Sequence, residues 1–168
     1  MVAEPTPYYM RSHLTGPLDA GLADTLAGHA ADVTSSLSVS SPLSVSSPLS
    51  VSSPLSAVLL VPMGGAIARA PAGDTAVAHR DAAYCLEIGA AWPSPHDDPR
   101  PHREWADRIW QATRPWSVGN EVNHQIDDSS DGVLAAYGPE IQARLAEVKA
   151  RWDPRNVFSL NLNVPPTA

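Results

Sequence analysis

Residues 136–166 (AYGPEIQARLAEVKARWDPRNVFSLNLNVPP) constrain the fold more than any other stretch, because helix, stop and alternation signals follow one another without a gap. Gly138 and Pro139 open a helix, since proline at a first helical position gives up no needed amide and has its φ already set. Ile141, Leu145, Val148 and Trp152 recur at helical spacing as one apolar stripe, with Arg144, Glu147 and Lys149 turned away from it. Lys149 and Arg151 suit the negative end of that helix. Asp153-Pro154 stops it, because the residue before proline is pushed out of the α region, and Asn156 is placed to cap the turn that follows. Phe158, Leu160, Leu162 and Val164 then alternate, which predicts a returning strand.

Upstream, residues 17–30 read as a helix with Leu18, Leu22 and Leu26 at spacings of four and Thr15 or Gly16 as its cap. Residues 37–54 are LSVSSP written three times without change. Six residues ending in Ser-Ser-Pro offer only Leu and Val to bury, and proline breaks any ladder, so this is a low-complexity connector rather than a solenoid. Residues 57–63 form an apolar run that predicts a strand; Gly64-Gly65 then supplies a turn or a close backbone approach, and residues 66–70 carry the run onward. Tyr84, Leu86, Ile88, Ala90 and Trp92 alternate with Cys85, Glu87, Gly89 and Ala91, the period of a half-buried strand that Pro93 ends. A helix over 101–113 puts Trp105 and Ile109 on one face, residues 117–126 suit a short strand, and 127–132 a turn. This order predicts an α+β fold, a small antiparallel sheet covered by helices on one face. The chain divides into an N-terminal helical piece (1–34), the repeat (35–56) and a C-terminal region (57–168).

With 168 residues the chain suits one domain with a real core. A net charge of −7, ten arginines and a single lysine, with no basic stripe, argue against a nucleic-acid surface. No membrane-spanning run or signal peptide is seen, so no membrane partner is expected and the cytoplasm is the expected compartment. The single cysteine, Cys85, excludes an internal disulfide and any multi-cysteine zinc site, and its apolar setting reads as an inert thiol. No metal site is expected: Asp127-x-Ser129-x-Asp131-Gly132 lacks the twelfth-position carboxylate of a calcium loop, and His96, Asp97, Asp98 and His102 read as solvated. The five tryptophans fall mostly on apolar faces and read as core. No nucleophile elbow or Ser-His-Asp order is present.

Ala136-Tyr137-Gly138, Arg144-Leu145, Lys149, Asp153-Pro154, Asn156-Val157-Phe158, Asn161, Asn163 and Pro165 together resemble the closing segment of the berberine bridge enzyme-like FAD-linked oxidases. Gly64-Gly65-Ala66, Thr75-Ala76 and His79-Arg80 also resemble that family's substrate-binding half. The resemblance implies an oxidoreductase that passes a hydride from an alcohol, sugar or amine-type substrate to FAD, with oxygen as acceptor. The family's glycine-rich phosphate loop does not occur in this sequence, so this chain alone is expected to bind FAD weakly or not at all, and a missing FAD-binding domain or chain is the implied partner. A non-catalytic remnant or binding module without flavin, or one half of a split enzyme, is the alternative.

The resemblance places Gly119-Asn120-Glu121-Val122-Asn123-His124 where the family carries a Tyr-x-Asn-Tyr motif on a strand. Asn123 matches, while Glu121 and His124 replace the tyrosines, the second of which serves many members as a base. His124 can take that role, since its ordinary pKa lies near neutrality; a copy that has lost catalysis would show the same two replacements. Glu121 and His124 are thus the candidate catalytic pair. Asn123, Asn161 and Asn163 are the candidates for contact with the cofactor, the last two because residues two apart on a strand share a face.

Overall fold

A computed structural model describes residues 6–31, 56–71, 73–124 and 130–167. The LSVSSP repeats and positions 125–129, including Asp127 and Ser129, lie outside the described residues. Strands β1 (Tyr8–Thr15), β2 (Ala57–Pro62), β3 (Tyr84–Ala91) and β4 (Ser117–Gly119) make one antiparallel sheet in the order β2-β3-β1-β4. β3 is central, with Leu86 opposite Leu60 of β2 on one side and His13 of β1 on the other.

Strand alternation assigns the two faces. Val58, Leu60, Leu86, Ile88 and Ala90 point to one side, where they pack against Trp105, Ala106 and Ile109 of α3 (Arg100–Thr113). Full burial of residues such as Leu86, Ile88 and Ile109 is worth about 1.5–3 kcal/mol each, so this layer holds the domain together. Helix α1 (Ala20–Ala31) packs on α3 from outside, and Leu26 reaches the same core. The helices α1 and α3 thus cover one face of a small antiparallel sheet, the α+β arrangement expected from the sequence. Leu14, Cys85, Ala82 and Met63 form a smaller cluster on the opposite face.

Several local expectations are corrected. Helix α1 starts later than residue 17 because Thr15 is spent as the last residue of β1, its carbonyl accepting from Ala83 N–H (2.9 Å); Asp19 caps instead, accepting from Leu22 N–H (2.7 Å). Residues 66–70 do not run on as a strand: α2 (Ala66–Arg69) is a single helical turn after Gly65, whose φ of 69° glycine tolerates. The strand expected over 117–126 ends at Gly119, and the chain curls into a 3-10 turn over Val122–His124. Asp131 and Gly132 lie in α4 (Ser130–Trp152), not in a turn.

Helix α4 is broken at Gly138 (φ 68°, ψ 165°), and Pro139 opens its second limb as the sequence implies. The stripe on that limb is uncovered at its end: Val148 is 55 % and Trp152 74 % exposed, so Trp152 is not a core residue. Lys149 does not face away; it is half-buried and its Nζ donates to Asp153 Oδ2 (2.6 Å) and to the Phe158 carbonyl (2.5 Å). The expected returning strand is absent among the described residues. Asn161 takes φ 60°, and Asn163 N–H donates to the Asn161 carbonyl (2.7 Å), so the alternating residues wind through a tight turn without a strand to pair with. His102 is buried and stacked on Trp92, ring centroids 5.5 Å apart, rather than solvated.

Candidate functional site

Cys85 and Glu87 stand two residues apart on β3 and therefore point to the same side, away from α3. Ser12 lies opposite Glu87 on β1, and its hydroxyl donates to the backbone carbonyl of His124 (3.2 Å). That bond pins the 3-10 turn onto the sheet and sets the His124 ring over the strand: Nδ1 lies 3.2 Å from Glu87 Oε1 and 3.7 Å from Glu121 Oε2. Nδ1 is buried and makes no hydrogen bond to either carboxylate. The result is a thiol, a carboxylate and an imidazole whose ligand atoms all lie within 4.8 Å of one another.

Glu121 explains why the chain curls here. One carboxylate oxygen accepts from the amides of Asn123 (2.8 Å) and His124 (3.1 Å), and the other accepts from Asn123 Nδ2 (2.9 Å). The side chain caps its own turn, as side chains that bond the backbone two and three residues on commonly do. Asn123 is exposed, with its amide engaged by Glu121.

The electrostatics of this face are anionic. Burial first, then Glu87 and Glu121, push the Cys85 thiol up to about 12. Burial followed by Glu87 raises the Tyr8 phenol, and burial followed by Glu121 raises the Tyr137 phenol. Tyr8 lies across Gly89, where any side chain would collide with the phenol ring, so the glycine keeps this part of the face open to it. His79 occupies the space beside Gly119 in the same way, with Nε2 2.9 Å from the Ala135 carbonyl, which ties the 117–124 segment to α4.

Of the five sequence candidates, Glu121, Asn123 and His124 come together on this turn. Asn161 and Asn163 belong to a different place: Asn161 is exposed, and Asn163 lines an open groove with Tyr137, Leu145, Lys149, Trp152 and Phe158. Because no strand forms there, the two amides do not share a strand face. Sequence reasoning missed Glu87, Ser12 and Tyr8. The signal for Glu87 was present, as a charged residue inside an otherwise apolar alternating run and in phase with Cys85.

The family model described as "Berberine and berberine like" matches residues 122–165, which begins inside the His124 turn. The chain is 32 % identical over 104 residues to the uncharacterized FAD-linked oxidoreductase YvdP of Bacillus subtilis, covering 62 % of this chain and 23 % of that protein. It is 30 % identical over 132 residues to the aclacinomycin-N/aclacinomycin-A oxidase of Streptomyces galilaeus, covering 65 % of this chain and 23 % of the oxidase. The solved structure of BBE-like #28 from Arabidopsis thaliana superposes with a TM-score of 0.72 at 15 % identity, over 97 % of this chain and 34 % of that one. The chain spans about a quarter of the length of the curated relatives it matches. Family segment, relatives and fold agree: the chain is similar to a part of the berberine bridge enzyme-like FAD-linked oxidases.

Proposed function

We propose that this chain forms the substrate-side wall of a FAD-dependent oxidoreductase acting on an alcohol, sugar or amine-type carbon, with oxygen as the acceptor and His124 as the base. The observation that carries the reading is the His124 ring held against Glu87 at 3.2 Å on the face of the sheet that α1 and α3 leave free. A small rotation of the ring lets Glu87 accept Nδ1–H, which leaves Nε2 as the proton acceptor, the arrangement by which a carboxylate sets an imidazole's tautomer. Glu121 and Ser12 act through the backbone of residues 122–124, as positioning groups. Asn123, Asn161 and Asn163 remain the candidates for polar contact with the cofactor.

These residues fit the reacting end of such a reaction and not the FAD diphosphate, which needs several converging backbone amides. Gly64-Gly65 leads only into the four-residue helix α2. The flavin, when bound, accepts the hydride; its diphosphate is held by polypeptide outside this sequence, a partner chain or domain. Phe158 (82 % exposed), Leu160 (88 %) and Trp152 (74 %) favour such a partner, since they leave a contiguous apolar surface in need of cover.

The purified chain is expected to be colourless, and a flavin spectrum on the chain alone would refute the division of labour. In the complex with the FAD-binding partner, His124→Ala should slow flavin reduction about 100-fold or more without releasing FAD. An unchanged rate of reduction removes His124 from the reaction.

A further inference from the structure

We propose that Cys85, Glu87 and His124 bind a divalent transition metal ion of the zinc class. Three features argue for it. The sulfur, a carboxylate oxygen and an imidazole nitrogen already lie within 4.8 Å of one another. A tetrahedral zinc with bonds of about 2.0–2.3 Å would hold them roughly 3.3–3.8 Å apart, so closure by about 1 Å, within reach of the Glu87 and His124 rotamers, completes the site. Second, the scaffold is fixed before any ion arrives: two ligands come from neighbouring same-face positions of the central strand. The third comes from a turn clamped by Ser12 on one side and by Glu121 on the other. Third, His124 Nδ1 is buried and has no hydrogen-bond partner although it faces a carboxylate 3.2 Å away, which leaves an unsatisfied polar atom aimed into the cluster.

The ligand chemistry selects the ion. Magnesium and calcium take all-oxygen sets, whereas a thiolate with an imidazole and one carboxylate suits zinc and its first-row neighbours. The charges also close: binding sends the thiol proton to solvent, and a thiolate, a carboxylate and a neutral imidazole around a doubly charged cation sum to zero in a partly buried place. Cys85 is 2 % exposed, but the ion can enter past Glu87 and His124, whose side chains are 17 % and 34 % exposed. Three protein ligands leave a fourth position for water. An ion there occupies His124 and so withholds it from the proton transfer proposed above.

The test needs only the purified chain and cobalt(II) as a spectroscopic stand-in for zinc. Because the chain has a single cysteine, any thiolate-to-cobalt charge-transfer band reports Cys85. One equivalent of cobalt should produce that band, zinc should displace it, and Cys85→Ser should abolish it. Glu87→Gln and His124→Ala, checked for folding by circular dichroism, should each weaken cobalt binding about 10-fold or more, while His96→Ala should leave it unchanged. Absence of the band from the wild-type chain overturns the proposal. So does a band that keeps its affinity in folded Glu87→Gln and His124→Ala. Neither outcome bears on the redox reading, because no flavin is present.

Discussion

A single residue step along β3 separates two different environments. Leu86, Ile88 and Ala90 are fully buried against α3, where their own contacts are apolar packing. Cys85 and Glu87, in the alternate phase, meet Ser12, Tyr8 and the His124 turn, where hydrogen bonds and charge act instead. The contrast teaches a division within one strand: the apolar face supplies the stability that lets the other face hold an anionic, incompletely satisfied cluster. Such clusters tend to sit where function is carried rather than where the fold is made.

Truncation of the apolar face should produce the largest effect. Ile109→Ala removes a buried side chain at the centre of the α3 layer and should cost about 2–5 kcal/mol in denaturant unfolding. Glu87→Gln on the opposite face should cost far less, and equal losses would break the distinction between the faces.

The apolar face has a titratable weak point. His13 on β1 is fully buried beside Trp110, neither ring nitrogen has a hydrogen-bond partner, and burial, then Arg11 and Arg114, lower its pKa to about 4. The folded state therefore refuses a proton that the unfolded state takes at about pH 6.5. Stability should be fully present above that pH and fall as the pH drops toward 4, by about 3 kcal/mol for this group. The unfolding free energy of His13→Leu, measured across the same window, should lose that slope; a slope identical to wild type would show that His13 is not its source.

How much of this was legible follows the same line between faces. β3 and α3 announced themselves because their alternation and helical spacing coincide with burial: Leu86 and Ile88 from the strand, Trp105 and Ile109 from the helix. β1 did not, because its residues facing α3 are Tyr9, Arg11, His13 and Thr15. Arg11 lies over the Trp110 ring (3.8 Å) and Tyr9 donates to Asp107 (2.9 Å), so the strand is half-buried through polar partners that no hydropathy pattern reveals. The closing segment failed in the opposite sense. Phe158, Leu160, Leu162 and Val164 have the right period, but period reports a strand only where a neighbouring edge exists, and here Asp153 organises a turn. Its carboxylate accepts from Lys149 Nζ (2.6 Å) and from the amides of Val157 (2.8 Å) and Phe158 (3.0 Å), and with Lys149 as the leading cause its pKa is held at about 2. At the site, His124 and Glu121 were readable by position in the motif, whereas the meeting of His124 with Glu87 across 37 residues depends on strand register.

The link between the faces and the turn can be sharpened at Ser12. Its hydroxyl holds the His124 carbonyl, so Ser12→Ala should cost about 0.5–1.5 kcal/mol, the worth of one partly buried hydrogen bond. The same variant should loosen the His124 ring, read as faster hydrogen exchange at residues 122–124. Unchanged exchange there would mean that Glu121 alone fixes the turn.

The smallest effect is expected from the repeat. Residues 32–56 join α1 to β2, and deleting 43–54, two whole copies of LSVSSP, roughly halves that 25-residue connection. Closing a loop half as long costs less entropy, by about 0.6 kcal/mol per halving, so the deletion should leave the protein equally stable or slightly more so. Both faces of the sheet should be indifferent to it: thermal midpoint, the His13 slope and cobalt binding should all persist. A loss of more than about 1 kcal/mol exceeds anything loop entropy can account for. It would mean that the repeat packs on one of the two faces, and whether the pH slope or the cobalt signal changes with it would tell which.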